Sequence, residues 1–440
     1  MKTIVVKFGG TSLASADQIR KAVEIIQADP SRRFVVASAP GKRFGDDIKV
    51  TDLLYTCYDQ AAAGEDFSGT LSRIEARFAD IIRELGVEFD LAAEIAVLRE
   101  HLAAAPNRDY MASRGEYLNS RVIAAFLGYP FVDPAENIFF TEAGTLDEEK
   151  TFRTLRETLD ALPNAVIPGF YGVMPDGTVH TFSRGGSDIT GSIAAQAVHA
   201  ALYENWTDVS GMLSADPRLV EDPHVIDHIT YTELRELSYM GASVLHEDAV
   251  FPVRKAGIPI NIRNTNRPDD PGTMIVPWAD RSVKKRVITG VAGRKGFTSI
   301  ALEKSMMNAE VGFTARLFTI LAEHGVAFEH CPSGIDTISV VVNTASFSPC
   351  RNSVLIAIQK ELEPDAMTVE DGLAMIAVVG HGMVYSKGTA ARIFKALADA
   401  NINIRMIDQG SSEMNIIVVV EDGDYENAIR AIYREMEPLM

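Results

Sequence analysis

Cysteine is scarce: the 440 residues contain three, Cys57, Cys331 and Cys350, and none has zinc-site spacing to another. That excludes a disulfide framework and leaves small buried hydrophobes in a reducing compartment. Long apolar runs are missing too. No stretch approaches the roughly 18 to 20 apolar residues of a membrane span, and the opening MKTIVVKFGG is shorter than a signal-peptide core. The expectation is a cytoplasmic chain with no membrane partner. Positive charge is in deficit, since 42 Lys and Arg against 60 Asp and Glu leave a net charge of −18. A surface that acidic is a poor binder of nucleic acid or anionic lipid. Any phosphate must be met by a few placed cations and backbone N–H groups.

Several catalytic signatures are absent as well. Without G-x-x-x-x-G-K-[ST] the chain is not a P-loop enzyme, and without HRD or DFG it is not protein-kinase-like. There is no H-E-x-x-H, no Cys/His metal cluster and no G-x-G-x-x-G. His224 and His246 lack a Ser or Cys partner pattern and read as structural.

What remains is a balance of 47% hydrophobic and 23% charged residues, that of a globular protein long enough for two or three domains. Residues 3–8 (TIVVKF) and 33–39 (RFVVASA) read as strands around a helix near residues 16–27. Such alternation predicts a parallel sheet with crossover helices. Residues 64–105 carry helix-spaced apolar positions only and read as a helical insertion. The α/β pattern resumes at AVIPGFYGV, and residues 259–276 hold two strands around a Pro/Asp/Gly turn. The basic stretch SVKKR, residues 282–286, marks a boundary. Beyond it lies a repeat: GFTARLFTILA from Gly312 aligns with GTAARIFKALA from Gly388, an offset of 76. Each copy is a strand, a helix, two strands, then a further helix and strand, a ferredoxin-like plan.

Two elements carry the chemistry. In KFGGTS a strand ends in Lys7, and Gly9 and Gly10 let backbone approach a ligand before a helix. In TFSRGGSDITGS a strand ends in Arg184, followed by two glycines, Ser187, Asp188 and a helix. Helix N-termini behind a cation suit phosphate, so the two turns read as halves of one anion cradle, although Asp188 alone would be an ordinary N-cap. A third element, NWTDVSGMLSADPRLV, supplies Thr207 and Asp208 at a strand end and Arg218 in a turn, either ribose and phosphate contacts or plain turn chemistry. Phosphoryl transfer to a carboxylate fits a site without an evident base, because the acceptor (pKa about 4) is already ionised. Repulsion between acceptor and donor is then the obstacle, and cations with positioning overcome it.

KFGGTS, SRGGSD, TDV-S-G with ADPR, and NIRNTNRPDDPGT, in that order, resemble the aspartokinases of the amino acid kinase superfamily. The repeated tail resembles their tandem ACT modules. The resemblance implies an α/β fold, a three-layer sandwich with a mostly parallel central sheet plus two βαββαβ ACT modules. It implies a catalytic domain over residues 1–285, a first ACT module over 286–365, and a second over 366–440. Residues 287–292 would pair into the second module. The implied reaction moves phosphate from ATP, with Mg2+ riding on the phosphates rather than in a protein cage, to the side-chain carboxylate of L-aspartate. That is the first step toward lysine, threonine and methionine. With the chain ending soon after the second module, the expected enzyme is monofunctional.

By the same resemblance, Lys7 would stabilise the transferring phosphoryl group and Asp188 would orient the lysine. Ser38, Thr51, Glu116 and Arg184 would bind aspartate, Glu116 taking the ammonium and Arg184 the α-carboxylate. Gly9, Gly10, Ser12, Thr207, Asp208 and Arg218 would hold the nucleotide. Met307, Asn308, Gly312, Phe313 and Thr314 would receive an amino-acid effector, lysine or threonine. ACT pairing implies at least a homodimer. Ser243 stands where the family often has a phosphate-binding lysine, and Leu213 where it has an aromatic. Lys42, Arg43 or Lys49, in the long segment GKRFGDDIK, is a candidate replacement cation. The competing readings are a kinase of glutamate or of a nucleoside monophosphate, and a catalytically weak amino-acid sensor that keeps the kinase shell.

Overall fold

The computed structural model describes residues 2–104, 106–183, 185–242, 245, 247–277 and 286–440. The chain forms two compact units. The first comprises residues 1–212, 225–231 and 244–283; the second comprises 213–224, 232–243 and 284–440.

The first unit is built on seven strands: β1 (Ile4–Phe8), β2 (Arg32–Ala37), β3 (Ala165–Pro168), β6 (Leu202–Thr207), β7 (His228–Thr230), β8 (Ile260–Asn264) and β9 (Thr273–Val276). A small hairpin of β4 (Tyr171–Val173) and β5 (Val179–Thr181) stands apart. The sheet order is β3-β2-β1-β6-β8-β9-β7, and only the β8–β9 pair is antiparallel. The mostly parallel sheet expected from the alternating pattern is therefore present.

Period-two alternation divides the faces of β1. Val6 and Phe8 join Val35, Ala37 and Trp206 in a core shared with the helix Ala16–Ala28 and with Val122 to Ala124 of the helix Arg108–Leu127. Lys7 lies on the opposite face, in register with Asn205 of β6. The helix Gly186–Ala197 packs against β1, β2 and β6. The segment read as helical holds two helices, Ser68–Leu85 and Leu91–Ala104, whose apolar stripes meet the helix Val50–Ala62 in a separate core.

The second unit is one antiparallel sheet of six strands: β10 (Gly290–Glu303), β11 (Phe328–His330), β12 (Thr337–Asn343), β13 (Ala366–Val379), β14 (Met406–Asp408) and β15 (Asn415–Glu421). Its order is β11-β12-β10-β13-β15-β14. The two 14-residue strands serve both repeats. The C-terminal half of β10 pairs with β12 and with the start of β13, over the core of Leu317, Leu321 and Val354. Its N-terminal half, from Gly290, pairs with the end of β13, which pairs with β15 over the core of Ile393, Leu397 and Ile429. Irregular register around Phe297 separates the halves. The sequence repeat is a geometric one: Gly312 and Gly388 head equivalent helices at φ +86° and +87°.

The strand exchange explains why segments of the catalytic-like sequence fold with this unit. The Val291 N–H donates to the Ser214 carbonyl at 2.7 Å, and the Tyr433 hydroxyl accepts from the His224 N–H at 3.0 Å. The Glu233 carboxylate accepts from the Thr289 hydroxyl at 2.6 Å and from the His381 N–H at 2.9 Å. Of the basic boundary expected at residues 282–286, residues 282–285 lie outside the described residues.

Candidate active site

In an open parallel sheet the ligand crevice lies beyond the carboxyl ends of the strands, where the strand order reverses. Here the reversal falls between β1 and β6. A cavity of about 230 Å³ opens there, lined by Lys7, Gly9, Gly10, Ser38, Thr51, Glu116, Phe170, Gly185, Gly186, Ser187 and Asp188. Each lining group has a simple origin. Gly9 and Gly10 follow β1, Ser38 follows β2, and Phe170 follows β3. Thr51 belongs to the first turn of one helix, and Gly186 to Asp188 form the first turn of another.

The charged centre is the pair on the Lys7 face. Lys7 Nζ lies 2.5 Å from Asp188 Oδ1, with Lys7 buried and Asp188 nearly so. Asn205, one strand over, donates from Nδ2 to Asp188 Oδ1 at 2.7 Å and accepts from Lys7 Nζ at 3.5 Å. Three side chains from two strands and one helix thus fix a single ammonium at the cavity floor. Gly186 is required by close packing: a Cβ there would come within 2.4 Å of the Phe170 ring and 2.8 Å of its Cα. Phe170 itself has φ +83°, a strained value for a non-glycine residue, and its N–H is held by the Thr190 hydroxyl at 3.0 Å. The first helical N–H groups at Gly186 and Ser187, with the positive end of the helix dipole, face the same space as Lys7.

The opposite wall is Glu116. Its side chain is only 6% exposed as a residue, and Oε2 has no hydrogen-bond partner. Burial pushes its carboxyl up to about 8, against the opposing pull of the Ala39 N–H and the Arg114 guanidinium. Arg114 is buried beside the rings of Tyr110, Tyr117 and Tyr171, at 4.3 to 5.3 Å. Asn119, from the same helix, donates to the Ser38 carbonyl at 2.7 Å and so fixes the loop after β2. A buried acid with one oxygen unpaired, in a cavity that also holds a fixed cation, suits a ligand that carries both an ammonium and an anionic group.

The structure brings together Lys7, Gly9, Gly10, Ser38, Thr51, Glu116 and Asp188 of the expected set. Ser12 stands outside the cavity, buried, its hydroxyl accepting from Thr265 at 2.8 Å. Thr207 and Asp208 also stand outside it, at the end of β6, with the Thr207 hydroxyl donating to Asp208 at 3.2 Å. Arg218 belongs to the second unit, where its exposed guanidinium pairs with Asp216 at 2.6 Å. Arg184 and Ser243 lie outside the described residues. Of the expected effector contacts, Met307 and Phe313 are core residues of the first repeat, while Asn308, Gly312 and Thr314 are exposed around the helix start. Among the described residues no three His, Cys, Asp or Glu side chains gather as a metal site.

Gly185 and Gly186, read from the sequence as half of an anion cradle, line the cavity, whereas sequence reasoning missed Asn205 and Phe170 as site groups. Asn205 had a readable signal, because a polar residue inside the apolar strand LYENWT faces inward at the same level as Lys7. Phe170 had none.

Comparison with known proteins identifies the family. A model of the amino acid kinase family matches residues 2–264, and an ACT domain model matches residues 376–436. The chain belongs to the amino acid kinase family. Aspartokinase 3 of Bacillus subtilis is 41% identical over 449 residues, covering 98% of each chain. The crystal structure of Clostridium acetobutylicum aspartate kinase superposes with a TM-score of 0.90 at 47% identity, covering 99% of this chain and 100% of that one. Escherichia coli aspartokinase III, solved with aspartate and ADP in an R-state, superposes at 0.77 with 25% identity over 99% of this chain and 100% of that one. The same enzyme with lysine and aspartate in a T-state gives 0.71 at 26% over 100% of both chains. The family fold therefore spans both units, and the Lys7–Asp188 crevice lies within the kinase match.

Proposed function

We propose that this chain is an aspartokinase, transferring the terminal phosphoryl group of ATP to the side-chain carboxylate of L-aspartate to give 4-phospho-L-aspartate. The observation that carries the reading is one cavity lined by a fixed ammonium and by a buried carboxyl whose Oε2 has no hydrogen-bond partner. The aspartate ammonium meets Glu116, which ionises as that charge arrives. Ser38 and Thr51 line the same wall and orient the acceptor carboxylate. Arg184 is assigned to the α-carboxylate by the family resemblance alone.

The acceptor is already an anion, so no base is needed and the barrier is the approach of two negative groups. Lys7 answers it. Held by Asp188 and Asn205, its ammonium stays fixed and needs no reorganisation as charge builds on the transferring oxygens. The N–H groups of Gly10, Gly186 and Ser187 add partial charges on the same side. Magnesium enters on the nucleotide phosphates and supplies further neutralisation when bound; oxygen-rich phosphates suit it better than any side-chain cage here.

The proposal includes regulation. The ACT repeats would bind an amino-acid effector, lysine or threonine, near the helix starts at Gly312 and Gly388, and would pair chains into a homodimer. Three free cysteines, with burial pushing the Cys57 thiol up to about 11, fit a reducing cytoplasm. Incubation with ATP, magnesium and L-aspartate, with hydroxylamine trapping the acyl phosphate, tests the core of the reading. Aspartyl hydroxamate supports it. Glutamyl hydroxamate from L-glutamate would instead indicate a different acceptor, and neither product would indicate a sensor. Adding lysine, threonine or both identifies the effector.

A further inference from the structure

The segment between Ser38 and Thr51 is longer than the cavity wall requires, and its charges have no part in the reaction as described. The structure gives them another task. Arg77, on the helix Ser68–Leu85, is 6% exposed and sends its guanidinium out of the helical segment toward the site's loops. Nη2 donates to the Gly41 carbonyl at 2.7 Å and to the Ala14 carbonyl at 2.8 Å, while Nη1 donates to Asp47 at 2.6 Å. Asp47 also accepts from the Arg43 N–H at 3.0 Å and from Arg43 Nε at 2.8 Å, which closes residues 43–47 on themselves.

Gly41 is the link to the site. Its N–H donates to the Gly10 carbonyl at 2.8 Å, and a Cβ on Gly41 would lie 2.5 Å from the Gly10 carbonyl carbon. The two backbones are in direct contact, with no side chain between them. Ala14 closes the other end of the helical turn Thr11–Leu13 that begins at Gly10. At the base of the long segment the Val50 N–H donates to the Pro40 carbonyl at 3.2 Å. One buried guanidinium therefore grips both ends of the turn from Gly10 to Ala14, Ala14 directly and Gly10 through Gly41. It also grips the segment whose two ends carry Ser38 and Thr51.

We propose that Arg77 is a positioning residue: it locks the phosphate-side turn at Gly10 to the amino-acid-side segment 38–51, and so sets the distance between donor and acceptor. The assignment rests on the kinase reading above. Two walls that bind their ligands separately, but are joined by one clamp, predict a particular kinetic split. Without the clamp each substrate still meets its own wall, while in-line alignment is lost, and misplacement by about 1 Å can cost on the order of 100-fold in rate.

The test uses the full chain in the hydroxamate assay, with ATP and L-aspartate each varied. Arg77→Met should lower kcat about 10- to 100-fold while both KM values stay within about threefold. Asp47→Ala, which cuts the clamp from the loop side and does not disturb the helix, should lower kcat in the same manner. The double variant should be no worse than Arg77→Met alone, because both changes break one connection. Arg83→Met, on the same helix but exposed and paired with Asp80, should leave kcat within about twofold. A folded Arg77→Met protein with kcat within twofold of the parent overturns the inference, as does simple additivity of the two changes. If Arg77→Met does not fold, Asp47→Ala decides by the same criterion. A parent that makes no acyl phosphate defeats the kinase reading instead, and the two failures are separable.

Discussion

Glu116→Gln separates the cost of a preformed site from its benefit. In the unfolded chain this carboxyl titrates near its ordinary value of 4.5; in the folded protein burial pushes it up to about 8. Between those values the folded state keeps a proton that the unfolded state has released. The group's contribution to stability is therefore full below pH 4.5, declines as pH rises, and is exhausted above pH 8. The limiting slope is about 1.4 kcal/mol per pH unit, so an ideal buried acid loses up to roughly 5 kcal/mol across the window. Water entering the cavity reduces that, and about 1 to 3 kcal/mol is the expected effect. Gln keeps the shape without the titration. Ligand-free Glu116→Gln should thus be more stable than the parent at pH 8, and the difference should shrink toward pH 5. Denaturant titrations of both proteins at pH 5, 6.5 and 8 measure it. Function should move the other way. The parent's KM for aspartate should fall from pH 6 to 8 as Glu116 ionises, whereas the variant's should be at least about tenfold higher and flat. A stability difference that ignores pH, or a variant less stable at pH 8, would refute the picture of a desolvated, waiting carboxyl.

Three further outcomes follow from the same geometry. Lys7→Met should reduce kcat about 100- to 1,000-fold with a smaller change in the ATP KM, because the fixed ammonium acts mainly as charge develops; steady-state acyl phosphate assays read both. Asn205→Leu removes the neighbour that braces Lys7 and Asp188 at 3.5 and 2.7 Å, and should cost about tenfold in kcat while the far-ultraviolet circular dichroism is unchanged. Leu321→Ala and Leu397→Ala sit at equivalent places in the two repeats but in separate cores; each should destabilise by about 2 to 5 kcal/mol, and calorimetry on the double variant should find the effects additive.

The fold class was legible because its signals are local. The β-branched run TIVVKF followed by glycines and a helix is readable without tertiary knowledge, and the 76-residue repeat declares two similar modules. The strand exchange between the repeats is different. Within residues 290–303 the only local mark of where β10 passes from one core to the other is Gly296, at φ +90° beside the register shift. That point is set by register against β13, a property of two distant segments together. The same limit explains why residues 213–224 and 232–243 lie with the second unit: single contacts such as Ser214 with Val291, or Glu233 with Thr289, decide it.

The site divides along a similar line. Lys7, Gly9, Gly10 and Asp188 announce themselves, since a cation, glycines and a helix start in immediate succession have few other uses. Glu116 does not. On sequence it is a helix residue flanked by arginines, indistinguishable from a solvated one, and only the resemblance singled it out. Its character comes from what surrounds it: Gly115, beside it, lets Ala39 approach so closely that a Cβ would lie 2.7 Å from the Ala39 side chain. The helix is thereby pressed against the loop after β2, water is excluded, and the carboxyl loses its solvent. Arg77 is the more extreme case, because an arginine in RIEARFADIIREL looks like any charge on an amphipathic helix until the partners at Ala14, Gly41 and Asp47 are seen. Residues whose chemistry is their own can be read from the chain; residues whose chemistry is conferred by burial require the packing that confers it. In this protein the second kind sets both the proton affinity of the Glu116 carboxyl and, by the inference drawn above, the distance of that wall from the turn at Gly10.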